Sequence, residues 1–148
     1  MSYSTASRRI EKGNQLKNKI STRQFGDLEF DDDIVHTFPS GLPGFEDLHK
    51  FIIIDDKDTE PLKWMLSTED PSVGFAILDA NLLAPDLYNE LPDEDRTSSA
   101  MFVVVVLRRD PEPITANLKA PIIVNTHTRS GRQLVLNTEK YSTDHKII

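Results

Sequence analysis

One stretch of the sequence limits the fold more than any other. Residues 100–107, AMFVVVVL, are apolar without interruption, and the run ends at the charged pair Arg108 and Arg109. Four consecutive valines favour an extended strand, because β-branched side chains pack well on a pleated surface. A strand that is apolar at every position has no face for water, so the run predicts a strand covered on both sides.

Several shorter runs rich in β-branched and aromatic residues lie on either side of this strand. They are residues 32–39, 49–55, 61–68, 72–79, 121–127 and 132–139. Pro or Gly separates them roughly every ten residues, a spacing typical of all-β sandwiches and barrels. The only helical pattern is about one turn at residues 86–91. We predict an all-β fold: a closed or pseudo-barrel of short, mostly antiparallel strands with little helix, because closure removes exposed strand edges.

The first twenty residues differ from the rest in charge. They contain five Lys or Arg and one Glu, a net charge of +4, so the remainder of the chain carries −7 − 4 = −11. We predict a flexible basic tail over residues 1–20 and a single domain over residues 21–148. An acidic domain repels nucleic-acid phosphate and attracts basic proteins. The charge therefore argues against direct nucleic-acid binding and for a basic protein partner.

The compartment is predicted from what the sequence lacks. Cysteine is absent, which excludes disulfides, thiolate metal ligands and a cysteine nucleophile. No apolar run approaches the roughly 20 residues of a membrane span. The polar, basic start does not resemble a secretory signal. We therefore expect a cytoplasmic protein without a membrane segment.

Catalytic and metal-binding motifs are weak. None of the four histidines forms an H-E-x-x-H pair, and neither a G-x-S-x-G elbow nor a phosphate-binding glycine loop is present. Carboxylates are abundant but occur mainly in turn-rich stretches, where Asp bonds the local backbone. We expect no catalytic residues, no metal and no cofactor. A small β-barrel binding module or a carboxylate-dependent hydrolase of unknown substrate remains the alternative function.

Three segments together resemble one known family. They are FPSGLPGFEDLHKFIII (38–54), STEDPSVGFAILD (67–79) and DPEPITANLKAPIIVN (110–125). In this order and spacing they closely resemble the FliW family of flagellar assembly factors. The resemblance covers roughly residues 20–141.

The resemblance implies a function as well as a fold. Proteins of the FliW family are compact, β-barrel-like monomers without enzymatic activity. They bind CsrA, a small RNA-binding dimer that represses translation of flagellin messenger RNA, and they also bind flagellin. The resemblance therefore implies a partner switch in which flagellin competes with the CsrA-type regulator for this protein.

Exposed polar residues of the family-like segments are the candidate contacts with these protein partners. They are Asp55, Asp56, Glu69, Asp70, Asn117, Lys119 and Asn125. Each position also has a structural interpretation, since Asp and Asn bond the backbone of their own turns and Lys can lie across apolar surface. Phe45 is expected to plug the core beneath its turn.

Overall fold

Strands dominate the computed structural model, which describes residues 18–147. The strands are β1 (Asn18–Thr22), β2 (Gly26–Phe30), β3 (Val35–Thr37), β4 (Lys50–Asp55), β5 (Lys63–Ser67), β6 (Gly74–Asp79), β7 (Ser99–Val106), β8 (Thr115–Asn125), β9 (Gly131–Gln133) and β10 (His145–Lys146). Helical structure in this part of the chain is limited to short 3₁₀ segments at Asp32–Ile34, Lys57–Thr59, Ala80–Leu82 and Pro85–Glu90, and one turn of α-helix, α1 (Asp93–Arg96). The predicted all-β class with little helix is confirmed.

The main sheet curls until its two ends meet. Strands β3 to β8 pair antiparallel in sequence order, and β9 and β10 pair with different halves of β8. Thr37, at the end of β3, forms an isolated parallel bridge with Ser130, directly before β9. The backbone N–H of Thr37 donates to the carbonyl of Arg129 at 2.9 Å. The sheet is thus nearly closed, as the pseudo-barrel prediction requires.

Both faces of the sheet are apolar and covered. In β7, Met101 and Val103 face one apolar cluster, and Phe102 and Val104 face the other. The first cluster is covered by the β1–β2 hairpin, residues 80–91 and the C-terminal segment, whereas Phe38 and Leu42 of the loop 38–48 pack into the second. Each buried aliphatic or aromatic side chain contributes about 1.5–3 kcal/mol. The prediction that the valine-rich strand is covered on both sides is confirmed for residues 101–105, whereas Val106 and Leu107 at its end are 41% and 48% exposed.

The domain begins earlier than the predicted boundary after residue 20. Strand β1 starts at Asn18 and pairs with β2 over its whole length. Ile20 stands opposite Leu28, and both side chains are buried in the first cluster. Residues 18–20 are therefore part of the fold because Ile20 contributes to its core. Residues 1–17 of the predicted tail lie outside the described residues.

A wide bulge divides β8 into two halves. Val104 of β7 pairs with Asn117, whereas Phe102 pairs with Ile122, so a single β7 residue faces four residues of β8. Pro121 within the bulge has no N–H to donate to a neighbouring strand. The bulge lets β10 pair with the first half of β8 and β9 with the second.

The loop 38–48 lies tightly against the sheet. Gly41 has a φ of +66°, and a β-carbon there would lie 2.7 Å from the backbone of Glu46. Phe45 is not the buried plug expected from the sequence, because its side chain is 36% exposed and stacks edge-to-face on half-buried Phe75. Among residues 18–147, no helix has the length and apolarity to cross a membrane.

Candidate protein-binding site

The structure places the seven predicted contact residues at four separate positions. Asp55 ends β4 and Asp56 follows it, and Glu69 and Asp70 lie in the β5–β6 turn. That turn is at the opposite end of β4, since the N–H of Thr68 donates to the Lys50 carbonyl. At about 3.4 Å per strand residue, the two acidic pairs are roughly 17 Å apart. Asn117 and Lys119 share the β8 bulge, and Asn125 ends β8. The seven residues therefore do not form one patch.

The carboxylates of the β5–β6 turn are engaged with nearby backbone. Glu69 accepts from the N–H groups of His49 at 2.6 Å and Lys50 at 3.2 Å, which ties the turn to the start of β4. Asp70 accepts from the Ser72 hydroxyl at 2.6 Å and the Ser72 N–H at 3.1 Å. These bonds, the hydroxyl first, hold the pKa of Asp70 below its usual value. Both carboxylates thus have a structural role in addition to the predicted one.

The two asparagines of β8 each close a turn. The Asn117 amide oxygen accepts from the N–H groups of Lys119 at 3.0 Å and Ala120 at 3.2 Å. The Asn125 amide oxygen accepts from His127 and Thr128 at 2.8 and 2.9 Å. These bonds to backbone N–H groups two and three residues ahead stabilise each turn, which is the structural role that the sequence also allowed for these positions. Contact with a partner stays a prediction for both.

Lys119 packs against the C-terminal segment. Its carbonyl accepts from the N–H of Leu136 at 2.8 Å, and its ammonium nitrogen lies 3.8 Å from the carboxylate of exposed Glu139. An exposed pair at this distance adds little stability. The Lys119 ammonium is therefore available for a partner, and its predicted role in binding remains a prediction.

At the Asp55 end of β4, one carboxylate forms an ion pair and two others cap short helical turns. Asp55 faces Lys63 across the β4–β5 pair, and their side chains form an ion pair at 2.6 Å. Asp56 caps the following 3₁₀ turn by accepting from the N–H of Asp58. Asp79, at the end of β6, caps the next 3₁₀ turn by accepting from the N–H of Asn81 at 2.9 Å. Three acidic side chains thus gather where β4, β5 and β6 end or begin.

These elements enclose a cleft of about 410 Å³, which we name the acidic cleft. The cleft is lined by the carboxylates of Asp55, Glu60 and Asp79 and by the ammonium of Lys63, which together carry a net charge of −2. Its apolar lining comes from Pro61, Leu62 and Leu82. Leu82 is 59% exposed, among the most exposed of the large hydrophobic side chains in the described residues. The cleft therefore combines negative charge with an apolar surface open to solvent.

Sequence reasoning found only one residue of the acidic cleft, Asp55. Glu60, Asp79 and Leu82 were missed because they are distant in sequence or appeared to be ordinary turn residues. The strand register is what brings Asp79 close to Asp55 and Glu60. Lys63 pairs with Ile77. Asp79 follows Ile77 by two residues on the same face of β6, so it lies beside the residues that precede Lys63.

A larger cleft, of about 720 Å³, lies between the β1–β2 turn and the β5–β6 turn. Trp64 and Leu66 contribute apolar surface, Phe25 packs edge-to-face on Trp64, and Arg23 contributes a positive charge. Because Arg23 is the only charged residue that lines this cleft, a net charge of +1, it suits a basic partner less well than the acidic cleft does.

Among residues 18–147, no group of three His, Asp or Glu side chains is placed to hold a metal ion. The Nδ1 atom of His36 is buried and has no hydrogen-bond partner among the described residues. Burial lowers the pKa of His36, so its imidazole is neutral at pH 7.

Comparison with known proteins gives consistent results. The family model described as "FliW protein" matches residues 19–147. The flagellar assembly factor FliW of Caldanaerobacter subterraneus is 37% identical over 139 residues, covering 88% of this chain and 93% of its own. That of Thermosipho africanus is 36% identical over 138 residues, covering 87% and 94%. A crystal structure of the flagellar assembly factor FliW superimposes with a TM-score of 0.78 at 28% identity, covering 87% of this chain and 96% of that one.

Proposed function

Because this chain belongs to the FliW family of flagellar assembly factors, we propose that it works by binding proteins rather than by catalysis. It binds an RNA-binding translational repressor of the CsrA type and so relieves repression of flagellin messenger RNA. It also binds flagellin, and the two partners compete. Both encounters take place in the cytoplasm, with this protein as a monomer.

The charge of the described part of the chain is the observation that carries this proposal. Residues 18–147 contain 17 − 4 = 13 Lys or Arg and 24 − 1 = 23 Asp or Glu, a net charge of −10. A protein that holds RNA must present Lys and Arg to phosphate. An acidic partner is attracted to that same basic surface, and electrostatic steering speeds the encounter.

The engagement of the carboxylates supports binding rather than hydrolysis. Asp56, Asp70 and Asp79 each accept hydrogen bonds from the backbone of their own turns. Glu69 anchors the start of β4. A carboxylate-dependent hydrolase needs an acid and a base converging on one substrate bond. The alternative hydrolase is disfavoured because these carboxylates are directed towards their own turns.

The partner switch needs only competing equilibria. Whichever complex is more favourable at the prevailing concentrations takes the shared protein. If this protein lowers the affinity of the repressor for RNA from a separate site, RNA lowers the affinity of the repressor for this protein by the same factor.

A calorimetric titration of the purified CsrA-type repressor into this protein, with and without flagellin, tests the proposal. We expect saturable binding that weakens as salt rises and that is lost when flagellin is present in excess. Absence of binding to the repressor would overturn the proposal. Substrate turnover that disappears on carboxylate substitution would instead support the hydrolase.

A further inference from the structure

We propose that the acidic cleft is the docking site for a basic segment of the RNA-binding partner, in which an Arg or Lys stands next to an apolar side chain. This inference rests on the proposed function and specifies the surface and the chemistry of recognition.

Two carboxylates of the cleft have no cation of their own. The single ammonium that lines the cleft, that of Lys63, is engaged with Asp55 at 2.6 Å. Glu60 and Asp79 form no ion pair with any residue of the described chain, 18–147. A cationic group of a partner would therefore meet two uncompensated carboxylates and would not need to displace Lys63.

The apolar lining of the cleft suits the apolar side chain of the proposed partner segment. Leu62 and Leu82 line the cleft together with the carboxylates, and Leu82 is 59% exposed. The aliphatic part of an Arg or Lys side chain packs on such a surface while its charged end reaches the surrounding oxygens. An apolar neighbour in the partner segment would cover the remaining leucine surface. A volume of about 410 Å³ is enough for these side chains.

The same features discriminate against other occupants. A nucleic-acid phosphate would meet a net charge of −2, and a purely apolar segment would bury the carboxylates without a cation, which is costly. The β5–β6 turn is also acidic, but both of its carboxylates are engaged by N–H groups or a hydroxyl. In the acidic cleft, Asp79 accepts one N–H bond from its own turn, whereas the Glu60 side chain forms no hydrogen bond or ion pair among residues 18–147. The acidic cleft is therefore the better match for a basic segment.

The first test removes the two uncompensated charges with little change of shape. The variant Glu60→Gln with Asp79→Asn preserves side-chain size, and Asn remains a good cap for the 3₁₀ turn that follows residue 79. The matched control is Glu94→Gln with Glu112→Gln, which changes the net charge equally at two exposed positions outside the cleft. We expect the cleft variant to bind the repressor roughly tenfold more weakly, with a shallower salt dependence. We expect the control to bind within about threefold of the wild type.

The second test removes the apolar surface. Leu82→Ala should weaken repressor binding roughly threefold to tenfold and leave the melting temperature unchanged, because this side chain is mostly exposed. Val135→Ala is its control, since Val135 is 63% exposed and does not line the cleft. We expect Val135→Ala to bind as the wild type does.

The outcomes separate this inference from the proposed function. If the wild type does not bind the repressor, the proposed function fails, and this inference fails with it. If the wild type binds and the cleft variants bind equally well, only the docking site is wrong. A melting temperature equal to that of the wild type shows that each variant is folded, so weaker binding then reports on the cleft.

Discussion

The ring of Phe38 packs so closely on Gly131 that a β-carbon at residue 131 would lie 2.5 Å from the ring atom Cζ. Phe38 is fully buried in the second apolar cluster and directly follows the bridge from Thr37 to Ser130. This contact therefore lies where the first and last parts of the curled sheet meet. It links a residue of the loop 38–48 to the start of β9, 93 residues later in the chain.

Substitution at this contact should weaken the closure of the sheet. We expect Gly131→Ala to lower the free energy of unfolding by about 1–3 kcal/mol, because the added methyl group overpacks a buried ring. Urea denaturation measures the change. The control is the pair of substitutions Gly131→Ala with Phe38→Leu, in which the smaller side chain makes room for the methyl group. The two substitutions should therefore be less destabilising together than the sum of their separate effects. Strict additivity would argue against the contact.

The β8 bulge should depend on the amide oxygen of Asn117. We expect Asn117→Ala to lower the free energy of unfolding by about 1–3 kcal/mol, because the N–H groups of Lys119 and Ala120 lose their acceptor in a half-buried position. Asn117→Asp keeps an acceptor oxygen and serves as the control. Thermal unfolding and repressor titration together identify the role. If the Asn117→Ala variant loses affinity for the repressor but keeps its melting temperature, Asn117 is a contact residue instead.

The β5–β6 turn should lose its anchor when Glu69 is truncated. We expect Glu69→Ala to reduce the free energy of unfolding by roughly 1 kcal/mol, because its carboxylate accepts from two backbone N–H groups at the start of β4. Glu69→Gln retains an acceptor oxygen and should lose less. Charge reversal of Glu69 and Asp70 to Lys should therefore alter stability as well as charge. Unchanged chemical denaturation of Glu69→Ala would show that the anchor is unimportant.

The stability of the protein should fall in mild acid through His36. Burial lowers the pKa of His36 in the folded state, so the unfolded chain binds more protons between that lowered pKa and the ordinary value of 6.5. The stabilising contribution of the neutral imidazole is complete above pH 6.5 and is lost as the pH falls through the folded pKa. We expect His36→Gln to show a smaller loss of unfolding free energy than the wild type between pH 7.5 and 5.5. Parallel pH profiles for the two proteins would exclude this role.

Some features of the fold follow from local pattern. Side chains alternate between the two faces of any strand, so the uninterrupted apolar run predicted cover on both sides. Residues 101–105 have that cover, whereas Val106 and Leu107 at the end of the run are exposed. The short β-branched runs separated by Pro or Gly predicted an all-β chain, and the need to remove exposed strand edges predicted its nearly closed sheet. The boundary at residue 20 was wrong because Ile20 is isolated in a basic segment, and only its position opposite Leu28 reveals that it is buried.

The candidate site depended on information that no local pattern contains. Composition alone established an acidic domain, and turn chemistry indicated that Asn117 and Asp70 could bond their own backbone. Bringing Asp55, Glu60 and Asp79 around Leu82 required the β4–β5–β6 register, which pairs Asp55 with Lys63 and Lys63 with Ile77. Register is set by the lengths of the turns and by packing across the whole sheet. The sequence by itself therefore determined the class of fold and the sign of the charge, and only the tertiary structure decided which charges surround one cleft.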